Sequence, residues 1–383
     1  MENPVGSKKY KIILVAGARP NFMKIAPLMH ALKDHPDIES LLVHTGQHYD
    51  EKMSHSFFEQ LNIPAPHINL EVGSASHAVQ TALIMERFEA VCFQEQPDMV
   101  MVVGDVNSTA ACSLVAAKLH IKIAHYEAGL RSRDRGMPEE INRLVTDAIA
   151  DLFITTSRDA DENLQAEGVA PAHIHMLGNL MIDSLVTHLE QTSRMELKLM
   201  DLNAQPIMDI WSDIKYGIMT FHRPSNVDDK ATLGILVQEW IKVSEQLPLI
   251  FPIHPRTQSK LEQFGLMDDL LRSKNIYLTG PLSYLEFLKL MSHAALVITD
   301  SGGIQEETTY LKIPCLTVRP TTERPVTIWE GSNQLIKADE IFNKAIESLA
   351  KTSSDYTIPR YWDGSTASRI IKLLEDFSSA SMG

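Results

Sequence analysis

Three cysteines in 383 residues, Cys92, Cys112 and Cys315, are too few and too scattered to staple a fold or hold zinc. None forms a CxxC pair, and each sits in an apolar run that suits an inert, buried thiol. Apolar runs are themselves short. None approaches the roughly 18 residues of a membrane span, and the opening MENPVGSKKY has no apolar signal core. A soluble cytoplasmic protein without a membrane partner is the expectation. Basic charge is also scarce: 35 Lys+Arg stand against 49 Asp+Glu, for a net charge of −14. That balance argues against nucleic acid as a partner, yet a few local cations suffice for a small phosphorylated ligand. Motifs are missing too. The chain has no GxGxxG dinucleotide fingerprint, no GxSxG nucleophile elbow and no HExxH or comparable metal-ligand set. Nicotinamide chemistry, a serine triad and a metal centre therefore lack sequence support.

What is present is a regular alternation. Apolar runs at 11–16, 40–44, 99–103, 122–126, 151–155 and 174–177 read as strands, without the two-residue alternation of a half-exposed sheet. Segments such as 23–33 and 79–94 carry apolar residues at helical spacing. From about Gly178 the pattern yields to a more polar, helical stretch, 185–213, and a second strand series follows at 216–220, 249–253, 276–279, 296–299, 315–318 and 334–336. With 44% hydrophobic residues and a length beyond one core, the expectation is an α/β fold of two Rossmann-like domains facing a cleft. They are placed at 1–190 and 205–365, with a terminal helix and tail, 366–383, packing back.

Open parallel sheets bind ligands beyond the carboxyl ends of their strands, so the residues just after each strand carry the information. In the first half these are Gly17-Ala18-Arg19-Pro20, Gly104-Asp105 and Glu127-Ala128-Gly129; in the second, His222-Arg223, His254-Pro255-Arg256, Asp300-Ser301-Gly302-Gly303 and Arg319. DSGGIQEE (300–307) follows a strand and opens a helix, which suits a phosphate on exposed N–H groups, with Glu306 or Glu307 near ribose hydroxyls. An ordinary capped helix with early acids reads the same letters equally well. Asp105 could serve proton transfer or cap the helix after it; Glu139 and Glu140 could be first-turn acids after Pro138. Glu127 has no such capping alternative. His222 is the histidine best placed for function, whereas His125 lies inside a strand and is expected to be packed.

Taken in order, the segments GARPNFMKIAPL (17–28), TGQHYDEKM (45–53), VVGDVNSTAA (102–111), HYEAGLRS (125–132), MPEEINR (137–143), GNLMID (178–183), FHRPSNVDD (221–229), FPIHPR (251–256), DSGGIQEE (300–307) and TTERP (321–325) resemble the non-hydrolysing UDP-N-acetylglucosamine 2-epimerases. The resemblance runs from about residue 10 to 375 and implies the glycosyltransferase-B architecture. It implies interconversion of UDP-GlcNAc and UDP-ManNAc by elimination of UDP to 2-acetamidoglucal and re-addition, with no cofactor and no metal. By matched motif it makes Asp105, Glu127, Glu139 and His222 catalytic. Arg19, Lys24, Arg143, Asn179, His254, Ser301, Gly302, Gly303, Glu307 and Arg324 become substrate or UDP contacts. It also implies a homodimer. Two motifs depart from the family: its first often reads GTRPE, against Asn21 here, and its HRREN becomes HRPSN, with Pro224 and Ser225 after Arg223. These forms leave room for a modified sugar such as a UDP-2,3-diacetamido uronic acid. The competing readings are a glycosyltransferase on the same fold, a hydrolysing epimerase and a catalytically idle nucleotide-sugar sensor.

Overall fold

A computed structural model describes residues 9–46, 62–202, 205–207 and 214–382. The chain divides into two compact units, Met1–Val186 with Arg360–Gly383, and Thr187–Pro359. Both are α/β, as the alternation of apolar runs and helical segments requires.

Among the described residues the first unit holds seven parallel strands: β1 (Tyr10–Ala16), β2 (Ile38–His44), β3 (Ile68–Asn69), β4 (Met99–Val103), β5 (Lys122–Tyr126), β6 (Leu152–Thr155) and β7 (Ile174–Met176). Their order is β3-β2-β1-β4-β5-β6-β7. β4 is buried along its whole length, which is why it reads as an unbroken apolar run. Ile13, Val15, Val100 and Val102 pack with Ile84, Phe88 and Val115 from the covering helices. Helix Thr366–Met382 packs on helix Arg19–Leu32. Its first N–H groups, on Thr366 and Ala367, donate to the buried Asp183 carboxylate at 3.1 and 2.8 Å, which caps the helix from a distant part of the chain.

The second unit repeats the pattern with β8 (Gly217–Thr220), β9 (Leu249–Pro252), β10 (Ile276–Thr279), β11 (Leu296–Thr299), β12 (Cys315–Val318) and β13 (Asn333–Ile336). The order β10-β9-β8-β11-β12-β13 is again all parallel. Trp240 anchors one face, wholly buried against Phe221 and Phe251 with ring centroids 4.8 and 5.3 Å away. In each sheet the chain reverses its direction of travel between the first and fourth strands, β1/β4 and β8/β11. At such a switch point the following loops part and leave a crevice at the carboxyl ends.

Two details differ from the sequence reading. β3 went unseen because two residues are too short to show a period. The helix expected over 185–213 ends at Ser193; beyond it Met200 bridges Pro206 and Asp201 bridges Thr279, while 203–204 and 208–213 lie outside the described residues. No helix among the described residues is long and apolar enough to cross a membrane.

All three cysteines are buried. Burial pushes the Cys92 thiol up to about 12, with the nearby Glu89 adding to the effect, and Cys315 up to about 11. Because thiolate is the reactive species, native protein should show no reaction with a disulfide reagent over minutes. The same reagent should count three thiols after unfolding.

Candidate functional site

In the first unit the turn after β1 is held by Asn21, whose side-chain oxygen accepts from the Gly17 and Ala18 N–H groups at 3.1 and 2.9 Å. The amide nitrogen donates to the Val103 carbonyl at 3.0 Å, tying the turn to the end of β4 across the switch point. One helical step later Lys24 points back into the same region. Its ammonium lies 2.6 Å from the Glu127 carboxylate, and both side chains are buried. Glu127 ends β5 with a backbone φ of +69°, a conformation that costs a residue with a Cβ about 1–2 kcal/mol. Hydrogen bonds from Glu127 N and Ala128 N to the Ile154 carbonyl fix it there, at 3.0 and 3.2 Å.

Gly104 opens the space these groups share. Its φ is +71°, and a Cβ on it would lie 3.3 Å from Glu127 Oε2, 3.4 Å from Asn21 Nδ2 and 3.7 Å from Lys24 Nζ. The next residue, Asp105, sits before the helix Asn107–Lys118, with Val106 in the capping position. Its carboxylate instead pairs with Arg143. Arg143 is in turn gripped by Glu140, through Nε at 3.0 Å and Nη2 at 2.6 Å. Burial raises the Glu140 pKa, but N–H donors from Ser132 and Arg133 and the Arg143 charge outweigh it, so the carboxyl lies below its usual value. Glu139, half-buried in the first turn of helix Pro138–Asp147, makes no ion pair or side-chain hydrogen bond among the described residues. Behind this rim His125 is completely buried, with Nδ1 2.6 Å from Asp147 and Nε2 2.9 Å from the Gly104 carbonyl.

The second unit presents a different chemistry. Asp300, fully buried after β11, accepts from the backbone N–H groups of His222 and Arg223, the latter at 2.9 Å. It also accepts from the Asn226 amide at 3.2 Å and lies 3.0 Å from His222 Nδ1. Burial raises the Asp300 pKa, and the His222 contacts reverse that, leaving it below the usual carboxylate range. With Nδ1 turned to Asp300, His222 has Nε2 for a ligand. His254 stands beside it, ring centroids 5.7 Å apart, while its own Nδ1 accepts the Arg256 N–H and caps the next helix. A cavity of about 250 Å³ is lined by Phe221, His222, His254, Leu282, Phe287 and Ser301 among others.

Ser301 takes the capping position of helix Gly302–Leu311, whose first N–H groups have no acceptor within the helix. Deeper in that helix Glu306 faces Arg324 at 2.8 Å, and Arg324 also bonds Glu323. Glu307 is buried and receives a 3.0 Å hydrogen bond from the Tyr284 hydroxyl. Burial, helped by the charge of Glu306, pushes its carboxyl up to about 7 despite that bond.

The family model described as UDP-N-acetylglucosamine 2-epimerase matches residues 30–375. The chain belongs to this family. It is 40% identical over 367 residues to the UDP-N-acetylglucosamine 2-epimerase of Methanocaldococcus jannaschii, covering 95% of this chain and 98% of that one. It is 37% identical over 369 residues to the UDP-2,3-diacetamido-2,3-dideoxy-D-glucuronate 2-epimerase of Pseudomonas aeruginosa, covering 95% and 99%. The crystal structure of the M. jannaschii UDP-GlcNAc 2-epimerase in complex with UDP-GlcNAc and UDP superposes with a TM-score of 0.82 over 95% of this chain and 99% of that one, at 38% identity. The chain is therefore an epimerase of the glycosyltransferase-B fold.

Within this epimerase, Lys24, Asp105, Glu127 and Arg143 gather at the carboxyl ends of β1, β4 and β5. Asn179 is buried nearby in sequence to β7, accepting the Met181 N–H at 2.9 Å. His222, His254, Ser301, Gly302, Gly303, Glu307 and Arg324 belong to the second unit. The Arg19 side chain and residues 47–53 of the TGQHYDEKM segment lie outside the described residues. Sequence reading gave no role to Asn21 as a turn clamp, to Asp300 as the partner of His222, or to Glu140 as the residue that aims Arg143. For Asn21 the available signal was its place three residues into a helix, where an amide can reach back to bare N–H groups.

Two outcomes test this geometry. Lys24→Met should destabilise the protein by about 3–5 kcal/mol in urea unfolding, because Glu127 loses its buried cation. Adding Glu127→Gln should recover most of that loss, whereas simple addition of two losses would show the groups uncoupled. The second concerns Glu307. Its folded pKa of about 7 lies above the ordinary 4.5, so the folded state holds the extra proton and stability falls as pH rises from 4.5 to 7. Relative to Glu307→Gln, the wild type should lose about 3 kcal/mol across that window; parallel stability curves would refute it.

Proposed function

We propose that the protein interconverts UDP-GlcNAc and UDP-ManNAc without hydrolysing them. A carboxylate removes the proton from carbon 2 of the sugar, the carbon 1–oxygen bond to UDP breaks, and the electron pair forms the double bond of 2-acetamidoglucal. Return of a proton to the opposite face of carbon 2 and attack of the UDP oxygen on carbon 1 complete the inversion. No net oxidation occurs.

The observation that carries this reading is the presence of Asp105 and Glu127 on adjacent strand ends, each beside its own cation. A carboxylate held in place by such a contact is positioned to exchange a proton with a substrate carbon. We assign Asp105, Glu127 and Glu139 to the proton traffic. His222, Arg19, Arg324 and the amides of Ser301–Gly303 take the diphosphate, whose charge grows as it leaves. Gly303 is compatible with this, since beyond its chain neighbours and its own helix backbone a Cβ on it would meet nothing within 4 Å, which leaves space for a ligand. Glu307 takes the ribose hydroxyls, and the cavity beside Phe221 and Phe287 has the size and apolar walls for a uracil ring. Lys24, Arg143, Asn179 and His254 complete the substrate contacts. We extend the reading to a cytoplasmic homodimer, to be checked by sedimentation and fractionation.

A second substrate has an observation in its favour: the 37% identity to the diacetamido-glucuronate epimerase is close to the 40% shared with the UDP-GlcNAc enzyme. Both sugars should be incubated with the enzyme in deuterated water and followed by NMR. The expected result is UDP-ManNAc with deuterium at carbon 2 of both epimers and little free sugar. Faster exchange on the uronate would move the assignment to that substrate, and stoichiometric free ManNAc would mark a hydrolase. Asp105→Asn should lower turnover by at least about a hundredfold while UDP still binds.

A further inference from the structure

Arg319 follows β12 and is only 6% exposed. One of its terminal nitrogens, Nη2, donates to Glu323 Oε2 at 3.0 Å. The other, Nη1, is buried and has no hydrogen-bond partner. A buried donor left bare costs about 1–3 kcal/mol, so its persistence calls for a reason.

Its surroundings supply one. A Cβ built on Gly302 would lie 3.8 Å from Arg319 Nη1, 3.3 Å from Arg324 Nη1 and 3.2 Å from Glu323 Oε1. Two guanidinium groups and the bare N–H groups of the helix Gly302–Leu311 therefore border the same small space. Glu323 holds both arginines, one on each oxygen. If Arg319 were only a strut for the loop that carries Glu323, Nη2 alone would suffice and an aliphatic side chain could fill the rest. The unused Nη1 is the part that a strut does not need.

We infer that Arg319 is a further diphosphate-binding residue, held by Glu323 with Nη1 ready for a phosphate oxygen beside the helix end. The ligand class is a nucleoside diphosphate or its sugar ester. This deepens the proposed function and rests only on its UDP-binding half, not on the epimerisation. Arg319 and Arg324 then act as a fork: Glu323 fixes the spacing, and Gly302 keeps side-chain atoms out of the gap. Arginine suits the role because its planar group can satisfy a carboxylate and a phosphate together, which a single ammonium does not do at two separated points.

The test is calorimetric binding of UDP, with uridine followed by ligand-observed NMR, to full-length wild type, Arg319→Gln and Arg319→Lys, alongside ligand-free melting curves. Arg319→Gln should weaken UDP by about ten- to a hundredfold and leave uridine within twofold. Arg319→Lys keeps a cation for Glu323 and thus guards against a folding failure; it should fold and still lose at least threefold in UDP affinity, with uridine unchanged. Equal losses for UDP and uridine in Arg319→Lys would assign a purely structural role and overturn the inference, as would wild-type UDP affinity in that variant. A wild type that binds UDP but does not exchange deuterium, with affinity still falling in the variants, would keep the Arg319 role and defeat the reaction. A wild type that binds neither UDP nor inorganic pyrophosphate would defeat both.

Discussion

A parallel sheet ends with its carboxyl-side loops diverging where the strand order reverses, and in each unit a buried polar side chain ties the two flanking strand ends together at the base of that crevice. In the first unit Asn21 does so, reaching from the turn after β1 to the Val103 carbonyl at the end of β4. In the second the direction is opposite: Asp300, after β11, gathers the N–H groups that follow β8. These two residues differ in charge because their tasks differ. An amide satisfies donors and an acceptor together, as Asn21 does with Gly17, Ala18 and Val103. A carboxylate both caps N–H groups and orients the imidazole of His222.

Charge management follows from the same constraint. The carboxylates near these strand ends are partly out of water, and an unpaired ion there is expensive. Glu127 is matched with Lys24, Asp105 with Arg143, and Arg143 with Glu140. In the second unit Arg319, Glu323, Arg324 and Glu306 form an alternating series. A net charge of −14 is thus no obstacle to an anionic ligand, since what such a ligand meets is set within a few ångströms. Glu307 stands apart: paired with a phenol rather than a cation, it drifts toward neutrality instead.

Much of the fold was legible. Buried parallel strands announce themselves as unbroken apolar runs, and 99–103, 122–126, 276–279, 296–299 and 315–318 are reproduced to the residue. The α/β class and the family followed from ordered motifs spread along nearly the whole chain. Harder were elements without a period, such as β3, and the polar connection after Ser193. Proximity to strand ends singled out Asp105, Glu127 and His222, and the structure places all three just beyond the carboxyl ends of β4, β5 and β8. Partners were invisible: nothing in the letters links Lys24 to Glu127, 103 positions away, or separates Glu140, which grips Arg143, from Glu139, which does not.

By itself, then, the sequence determined which segments are strands, which residues follow them and which family they compose. These are local or ordered properties, written in hydrophobic runs and motif succession. Only the tertiary structure decided which charges neutralise each other, that Asn21 is a clamp rather than a loose polar letter, and that Arg319 keeps a nitrogen bare beside Gly302. Such facts depend on distances of about 3 Å between residues far apart in the chain, and the electrostatics of a buried group is set by those distances together with its removal from water.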